Sequence, residues 1–181
     1  MERFGLTSEQ AFDMMTTGLQ EGLSANGDFL ESITEYAPVF ADAGFSAEQM
    51  YAIMESGASS GVLGTDKISD AIKEMGVILG EGGERAETAF KAIGLNFNEI
   101  AGFVEAGDET WADYFDDIVA GINGIEDPLE RQRVQVQIFG TMAEDMGVGF
   151  TEALTSMGAS LADFEGATDS LNAKYESFGA L

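Results

Sequence analysis

Apolar residues recur at helical spacing along most of this chain, and most of the resulting stripes end at a glycine. This pattern is typical of amphipathic α-helices, which glycine commonly closes. The first stripe predicts a helix from Thr7 or Ser8 to about Gly22. Its expected buried face consists of Phe12, Met15, Leu19 and Leu23.

The second stripe follows the turn signal Asn26-Gly27 and predicts a helix to about Ala43. Its apolar positions are Phe29, Leu30, Ile33, Tyr36 and Phe40. Pro38 has no backbone N–H, so it should kink this helix or end its regular part near Ala37.

Two more helices complete the first half of the chain. Ser46 is expected to cap the third, which carries Met50, Ile53 and Met54, and the glycine-rich range 57–64 predicts a loop. The fourth helix should begin at Thr65 or Asp66 and stop at the glycines of range 80–83. Its apolar face consists of Ile68, Ala71, Ile72, Met75 and Leu79.

These four helices read as two copies of one unit, residues 5–43 and 44–82. An offset of 39 residues aligns Gly5 with Gly44 and also pairs Gln10 with Gln49. A third, partial copy is predicted over residues 94–124, after a helix over 84–93. Helix-turn-helix units of this length bury their apolar faces by stacking on neighbours. The alternative is that any series of amphipathic helices ending in glycine looks self-similar.

The strongest stripe predicts a central core helix from Asp108 to about Asn123. Its apolar positions are Trp111, Tyr114, Phe115, Ile118, Val119 and Ile122. Further helices are expected at about 150–157 and 161–175, the last with Leu161, Phe164, Leu171 and Tyr175 as its apolar positions.

Residues 127–145 carry the clearest helix signals in the chain. Asp127 and Pro128 suit the N-cap and first position of a helix, and Gly140 suits its end. Thr141 should cap the next helix, with Glu144 as its capping-box partner. Valine and isoleucine alternate with glutamine at positions 134–138, which alone is a strand pattern, but the two caps favour a helix.

Together these patterns predict an all-α fold, a compact array of about eight to ten short helices stacked as helix-turn-helix repeats. We expect one helical module over residues 1–181, ending in C-terminal helices over 127–178. The chain shows no clear terminal feature, so we expect it to be a fragment of a longer protein.

Charge narrows the possible partners. The 181 residues include 33 acidic and 8 basic side chains, which gives a net charge of −25. Such a surface repels phosphates, so direct nucleic acid binding and contact with an anionic membrane are not expected. No apolar run is long enough to cross a bilayer, and the N-terminus lacks the form of a signal peptide. The chain is therefore expected in the cytoplasm when it is made.

Candidate chemistry is sparse. The chain has no cysteine and no histidine, and it lacks the motifs of a phosphate-binding loop, a calcium hand or a hydrolase serine. The acidic pairs at 116–117, 126–127 and 144–145 point apart on a helix, so capping and solvation explain them. The methionines fit a core better than a binding surface. We predict no catalytic, cofactor-binding or metal-binding residues, no cofactor and no enzymatic activity.

Several motifs closely resemble a region of phage tail tape measure proteins. They are Asp127-Pro128, Arg131, Phe139-Gly140-Thr141, Glu144-Asp145, Arg3-Phe4-Gly5, and the runs at 27–40, 65–77 and 171–181. The resemblance covers almost the whole chain. Proteins of that family are much longer, with long helical and membrane-active segments that are not seen here.

The resemblance implies a structural module of a phage or prophage tail, involved in tail assembly and tail-length determination and released from the tail tube ahead of DNA. The implied partners are the tail tube protein, tail assembly chaperones and other copies of the protein. The implied location is the lumen of the virion tail, after a period in the host cytoplasm during assembly. The alternative is a generic acidic helical module for protein–protein interaction.

Overall fold

The structure is a computed structural model that describes residues 2–25, 27–59, 64–147 and 149–179. Within these ranges it contains α-helices, two 3-10 turns at Glu2–Phe4 and Trp111–Tyr114, and no β-strand. The helices are α1 (Ser8–Gln20), α2 (Phe29–Asp42), α3 (Ala47–Ser59), α4 (Thr65–Glu81), α5 (Glu84–Ala92), α6 (Phe97–Ala106), α7 (Phe115–Asn123), α8 (Pro128–Phe139), α9 (Met142–Met146), α10 (Phe150–Ala153), α11 (Leu161–Phe164) and α12 (Ala167–Gly179). The predicted all-α fold is confirmed.

The helix α4 lies at the centre of the array, where it packs against α2, α3, α8 and α9. Its predicted apolar face is confirmed, since Ile68, Ala71, Ile72, Met75 and Leu79 are all buried. Buried side chains form one continuous cluster that extends from Met14 in α1 to Phe164 in α11. The described parts of the chain therefore share a single core.

A chain of phenylalanines crosses this core from α2 to α10. Phe40 meets Phe45 with ring centroids 5.5 Å apart, and Phe45 meets Phe115 at 5.3 Å. Phe139 continues the series to Phe150 at 5.4 Å. Edge-to-face pairs of this kind add about 0.5–1.5 kcal/mol each beyond the burial of their area. The series joins the first repeat-like helices to the C-terminal part of the chain.

The first helix buries a different face from the one predicted. The residues that face the core are Ala11, Met14 and Gly18. Leu23 is buried as expected, but Phe12 and Leu19 are 59% and 44% exposed. The reason lies at Gly18, where a Cβ atom would stand 2.2 Å from the ring of Phe29. Because this close approach turns the glycine face of α1 toward Phe29, Phe12 and Leu19 face solvent, whereas Met15 of the predicted face is partly buried against the core.

The proline of α2 does not end the helix near Ala37. Hydrogen-bonded helix continues through Pro38 to Asp42. A proline inside a helix costs about 3 kcal/mol, and burial of a phenylalanine returns about 1.5–3 kcal/mol. Phe40, which follows the proline, is fully buried. Burial of the last turn of α2 therefore offsets much of the cost of the proline. In the same helix, Leu30 is exposed and departs from the predicted stripe.

Two helix boundaries also differ from prediction. The third helix extends to Ser59, so Gly57 belongs to α3 rather than to the predicted loop. Residues 60–63 of that loop lie outside the described residues, as does Asn26 of the turn predicted before α2. The predicted helix over 108–123 begins later, as the 3-10 turn Trp111–Tyr114 leading into α7. Thr110 sets this start, because its backbone N–H donates to Asp113 Oδ2 at 2.7 Å.

The C-terminal helices are shorter than predicted. The helix expected over 150–157 ends at Ala153, and the helix expected over 161–175 is divided into α11 and α12. The division falls at Gly166, which has φ +77°, a value that favours glycine. Phe164 is buried, but Tyr175 is 69% exposed, so the expected apolar face is not continuous.

Equivalent contacts recur at the offset of 39 residues. Thr7 forms a reciprocal capping box with Gln10, and Ser46 forms one with Gln49. A Cβ on Gly57 would stand 2.4 Å from Ile68, just as a Cβ on Gly18 would meet Phe29. These correspondences support the repeat of units 5–43 and 44–82, whose division of the chain stays a prediction.

Candidate functional site

The helix α8 begins as its sequence predicts. Asp127 Oδ1 accepts hydrogen bonds from the backbone N–H groups of Leu129 at 2.9 Å and Glu130 at 2.8 Å. Pro128 occupies the first turn. The alternation of apolar residues and glutamines at 134–138 is explained because Gln135 is fully buried beside Val134. Its amide nitrogen donates to Thr151 Oγ1 at 2.7 Å, so a polar residue joins the buried face of a helix.

Arginines hold the two ends of α8. Arg131 donates from Nε to the carbonyl of Ile125 at 2.9 Å and pairs with Glu152 Oε1 at 2.6 Å. Its side chain is only 17% exposed. At the other end, Arg85 donates to the carbonyl of Val136 at 2.5 Å, where a cation suits the negative end of the helix dipole. The basic residue of the recognised motif is therefore a structural link.

The turn after α8 forms around Glu74, a residue of the central helix. Thr141 donates to the Glu74 carboxylate from its backbone N–H at 2.8 Å and from Oγ1 at 3.3 Å. The predicted capping box between Thr141 and Glu144 is wrong, because Thr141 is turned toward Glu74 and makes no side-chain cap bond in α9. We name this contact, formed by Glu74, Gly140 and Thr141, the α8–α9 junction.

Glycine is required at the α8–α9 junction for two reasons. Gly140 has φ +72° and ψ −162°, a region essentially confined to glycine. A Cβ at this position would also stand 1.5 Å from Glu74 Oε2. The Phe139-Gly140-Thr141 motif therefore combines a buried ring, a close approach and a pair of donors.

A second carboxylate holds the chain after α10. Asp116 accepts hydrogen bonds from the backbone N–H of Ser156 at 3.0 Å and from its Oγ at 2.5 Å. Thr155 is also placed by Ser56, whose Oγ lies 3.3 Å from the Thr155 backbone nitrogen. Solvation and capping of its own helix therefore do not describe Asp116, in contrast to Asp127.

A third carboxylate starts the last helix. Asp13 of α1 is 4% exposed, and it accepts the backbone N–H groups of Gly166 and Thr168, both at 2.9 Å. The hydrogen bond from the Thr168 backbone is the main reason that the pKa of Asp13 lies below its usual value; desolvation opposes the shift. An aspartate from one helix thus supplies the N-terminal cap that α12 lacks in its own sequence.

These three residues, Asp13, Glu74 and Asp116, we call the anchoring carboxylates. Each holds the C-terminal segment, by which we mean the described residues between 141 and 179. Sequence patterns predict Asp116 as part of a solvated pair and predict no role for Asp13 or Glu74. One signal for Asp13 was present, since Glu165-Gly166-Ala167 offers no capping side chain at the start of a helix.

The described residues place no three or more acidic side chains where they could hold a metal ion. Within the same ranges, no helix is long and apolar enough to cross a membrane. The acidic pairs serve different contacts, as Asp116 and Asp127 show. The anchoring carboxylates bind backbone N–H groups of the chain itself. That the chain has no catalytic residues stays a prediction.

Comparison with known proteins identifies the group to which this chain is related. The family of phage-related minor tail proteins matches residues 1–140, which include α1–α8 and end at Gly140. A protein named "Probable tape measure protein", from Streptomyces phage phiC31, is 43% identical over 139 residues. That alignment covers 77% of this chain and 19% of the relative, so the chain spans about a fifth of the relative's length. No solved structure matches the chain. The chain therefore belongs to the phage-related minor tail protein family.

Proposed function

We propose that this chain is a structural module of a phage or prophage tail tape measure protein. In this role it takes part in tail assembly and tail-length determination, and it leaves the tail tube ahead of DNA. The observation that carries the proposal is the 43% identity to the phiC31 protein over 139 residues. The motifs that resemble tape measure proteins in the sequence have structural roles, because Arg131 and the α8–α9 junction hold α8 to its neighbours.

Its proposed partners are the tail tube protein, tail assembly chaperones and other copies of the protein. The proposed location is the tail lumen, after assembly in the host cytoplasm. The net charge of −25 suits a surface that the genome passes without adhering. We propose neither enzymatic activity nor direct nucleic acid binding for this chain. A gel-mobility shift of duplex DNA by the protein at physiological salt would contradict the proposed lack of DNA binding.

The compact core indicates how this module relates to tail length. Residues stretched as one helix would contribute 1.5 Å each, so a 39-residue unit would account for about 58 Å of tail. The described chain instead folds back on itself around α4. We propose that the module acts as a folded unit, so that it takes part in tail-length determination through tail assembly while its own residues add little to the measured length.

Two phage variants test this proposal together. The first is an in-frame deletion of residues 44–82, and the second is Met50→Asp, which places a charge at a fully buried position without shortening the chain. If the folded module is required, both variants abolish normal tails in electron micrographs. If the segment is stretched out in the virion, the deletion gives tails about 58 Å shorter and Met50→Asp gives tails of normal length.

The presence of the protein in particles is a separate test. Mass spectrometry of purified virions should detect peptides from residues 1–181 at a constant ratio to the tail tube protein. Absence from intact particles with normal tails would contradict the proposal and favour the acidic interaction module instead.

A further inference from the structure

An open groove lies between the end of α4 and the helix α6. It encloses about 370 Å³ and is distinct from the anchoring carboxylates. Its apolar lining consists of Leu79, Phe97, Ala101, Val104 and Trp111. The Trp111 ring stacks on Phe97 with centroids 5.9 Å apart and an angle of 12° between the rings. These two largely buried rings form the aromatic floor of the groove.

The helix α6 has an apolar face that the rest of the described chain covers incompletely. It packs mainly against α5. Phe97 and Ile100 are buried, but Phe103 is 43% exposed and Val104 is only partly buried. Val104 also lines the groove, so the groove borders an apolar face that the described chain leaves partly uncovered.

Two helical glycines line the groove without serving the packing of this chain. Gly80 lies in α4 and Gly102 lies in α6, and a Cβ on either would meet no atom within 4 Å. Glycine inside a helix is less favourable than alanine by about 1 kcal/mol. The packing of this chain therefore does not require glycine at these two positions. Glycine is required there if the backbone of another chain approaches the groove closely.

The charge of the rim indicates what enters. Glu81 and Glu105 line the groove and are exposed, and no basic side chain lines it. Among the described residues neither glutamate forms an ion pair. A second copy of this segment also carries a net charge of −25, so the acidic rim disfavours it as the occupant of the groove. We propose that the groove binds a basic amphipathic helix of a partner chain, with apolar anchors on the aromatic floor and lysine or arginine against the rim.

This inference does not depend on the proposed tail role. It is tested on the purified protein, without any phage. Trp111 is the chain's single tryptophan, so its fluorescence reports on the groove. The probe is a synthetic amphipathic helical peptide of leucine and lysine, and the control peptide has glutamate in place of lysine. We expect a saturable change in tryptophan emission at physiological salt with the lysine peptide only.

Leucine substitutions test whether the peptide enters the groove. Gly80→Leu and Gly102→Leu fill open space, so they should weaken binding at least about tenfold while leaving the protein as stable or more stable. The matched control is Gly76→Leu, since Gly76 also lies in α4 with open space around its Cβ position but does not line the groove. Its affinity should equal that of the parent.

Charge substitutions test the rim. The pair Glu81→Gln and Glu105→Gln should lower affinity and flatten its salt dependence, whereas Glu9→Gln with Glu31→Gln, at exposed positions away from the groove, should change neither.

Equal affinity of Gly102→Leu and parent protein, or equal binding of both peptides, would overturn the proposal. So would an emission change that depends on protein concentration without peptide, because a second copy would then occupy the groove.

Discussion

Replacing Gly140 by alanine perturbs the α8–α9 junction in two separable ways. The new Cβ adds backbone strain of about 1–3 kcal/mol, because this φ, ψ region is essentially restricted to glycine. It also occupies the position of the Glu74 carboxylate, which would stand 1.5 Å away. Displacing that carboxylate removes its charged hydrogen bonds to Thr141, for a further loss of about 1–2 kcal/mol at this exposed site. We expect Gly140→Ala to lower the free energy of unfolding by about 2–5 kcal/mol.

Gly147→Ala is the matched control. Gly147 has φ +75° and ψ 178°, close to the conformation of Gly140, but a Cβ there would meet nothing within 4 Å. This variant should therefore show the strain alone, about 1–3 kcal/mol. The difference between the two glycine variants measures the collision with Glu74.

A double-mutant cycle isolates that collision. Glu74→Ala alone should cost about 1–2 kcal/mol, because Thr141 loses its acceptor. In the double variant with Gly140→Ala, the alanine enters space that Glu74 has left, so the combined loss should fall short of the sum by about 1 kcal/mol or more. Urea denaturation followed by circular dichroism measures all four proteins. Losses that add within about 0.5 kcal/mol, or equal losses for Gly140→Ala and Gly147→Ala, would refute the account of this junction.

Three other predictions concern the first helix and the charge. Met14→Ala should destabilise the protein by about 2–5 kcal/mol and Phe12→Ala by less than about 0.5 kcal/mol in urea titrations, and the reverse order would restore the face expected from sequence. Because folding lowers the pKa of Asp13, its contribution is present above the unfolded pKa of about 3.9 and is lost as the pH falls through the folded pKa. Asp13→Asn should therefore lose stability at pH 7 and approach the parent below about pH 4, and a loss independent of pH would contradict this assignment. The melting temperature should rise between low and moderate ionic strength, since salt screens the net charge of −25, and an unchanged value would mean that the acids are compensated.

The elements that sequence predicted well are those that local chemistry specifies. The stripe of α4 is wide and continuous, so its period alone identifies the buried face. The start of α8 rests on Asp127, whose acceptor and donors lie within the same helical turn. Ser46 and Gln49 form their capping box in the same way. In each case the interacting residues are neighbours in the chain.

The errors arose where distant parts of the chain decide. Both faces of α1 carry apolar residues, and the one that is buried depends on the approach of Phe29 to Gly18. Thr141 had a suitable capping partner nearby, but Glu74 lies 67 residues away and competes successfully for its donors. Local pattern reports what a helix can bury or cap, and packing selects among the possibilities.

The acidic residues of this chain also have a structural role beyond solubility. With 8 basic residues against 33 acidic ones, most carboxylates find no cation. The anchoring carboxylates instead accept backbone N–H groups of the C-terminal segment, one each at Glu74 and Asp116 and two at Asp13. Hydrogen bonds to a charged acceptor are about twice as strong as neutral ones, so these contacts replace the ion pairs that the composition denies. The pKa of Asp13 is lowered, because its hydrogen bonds from Thr168 and Gly166 outweigh the desolvation that burial causes. Carboxylates thus hold the C-terminal segment to the core, although the net negative charge of the chain by itself would favour repulsion between them.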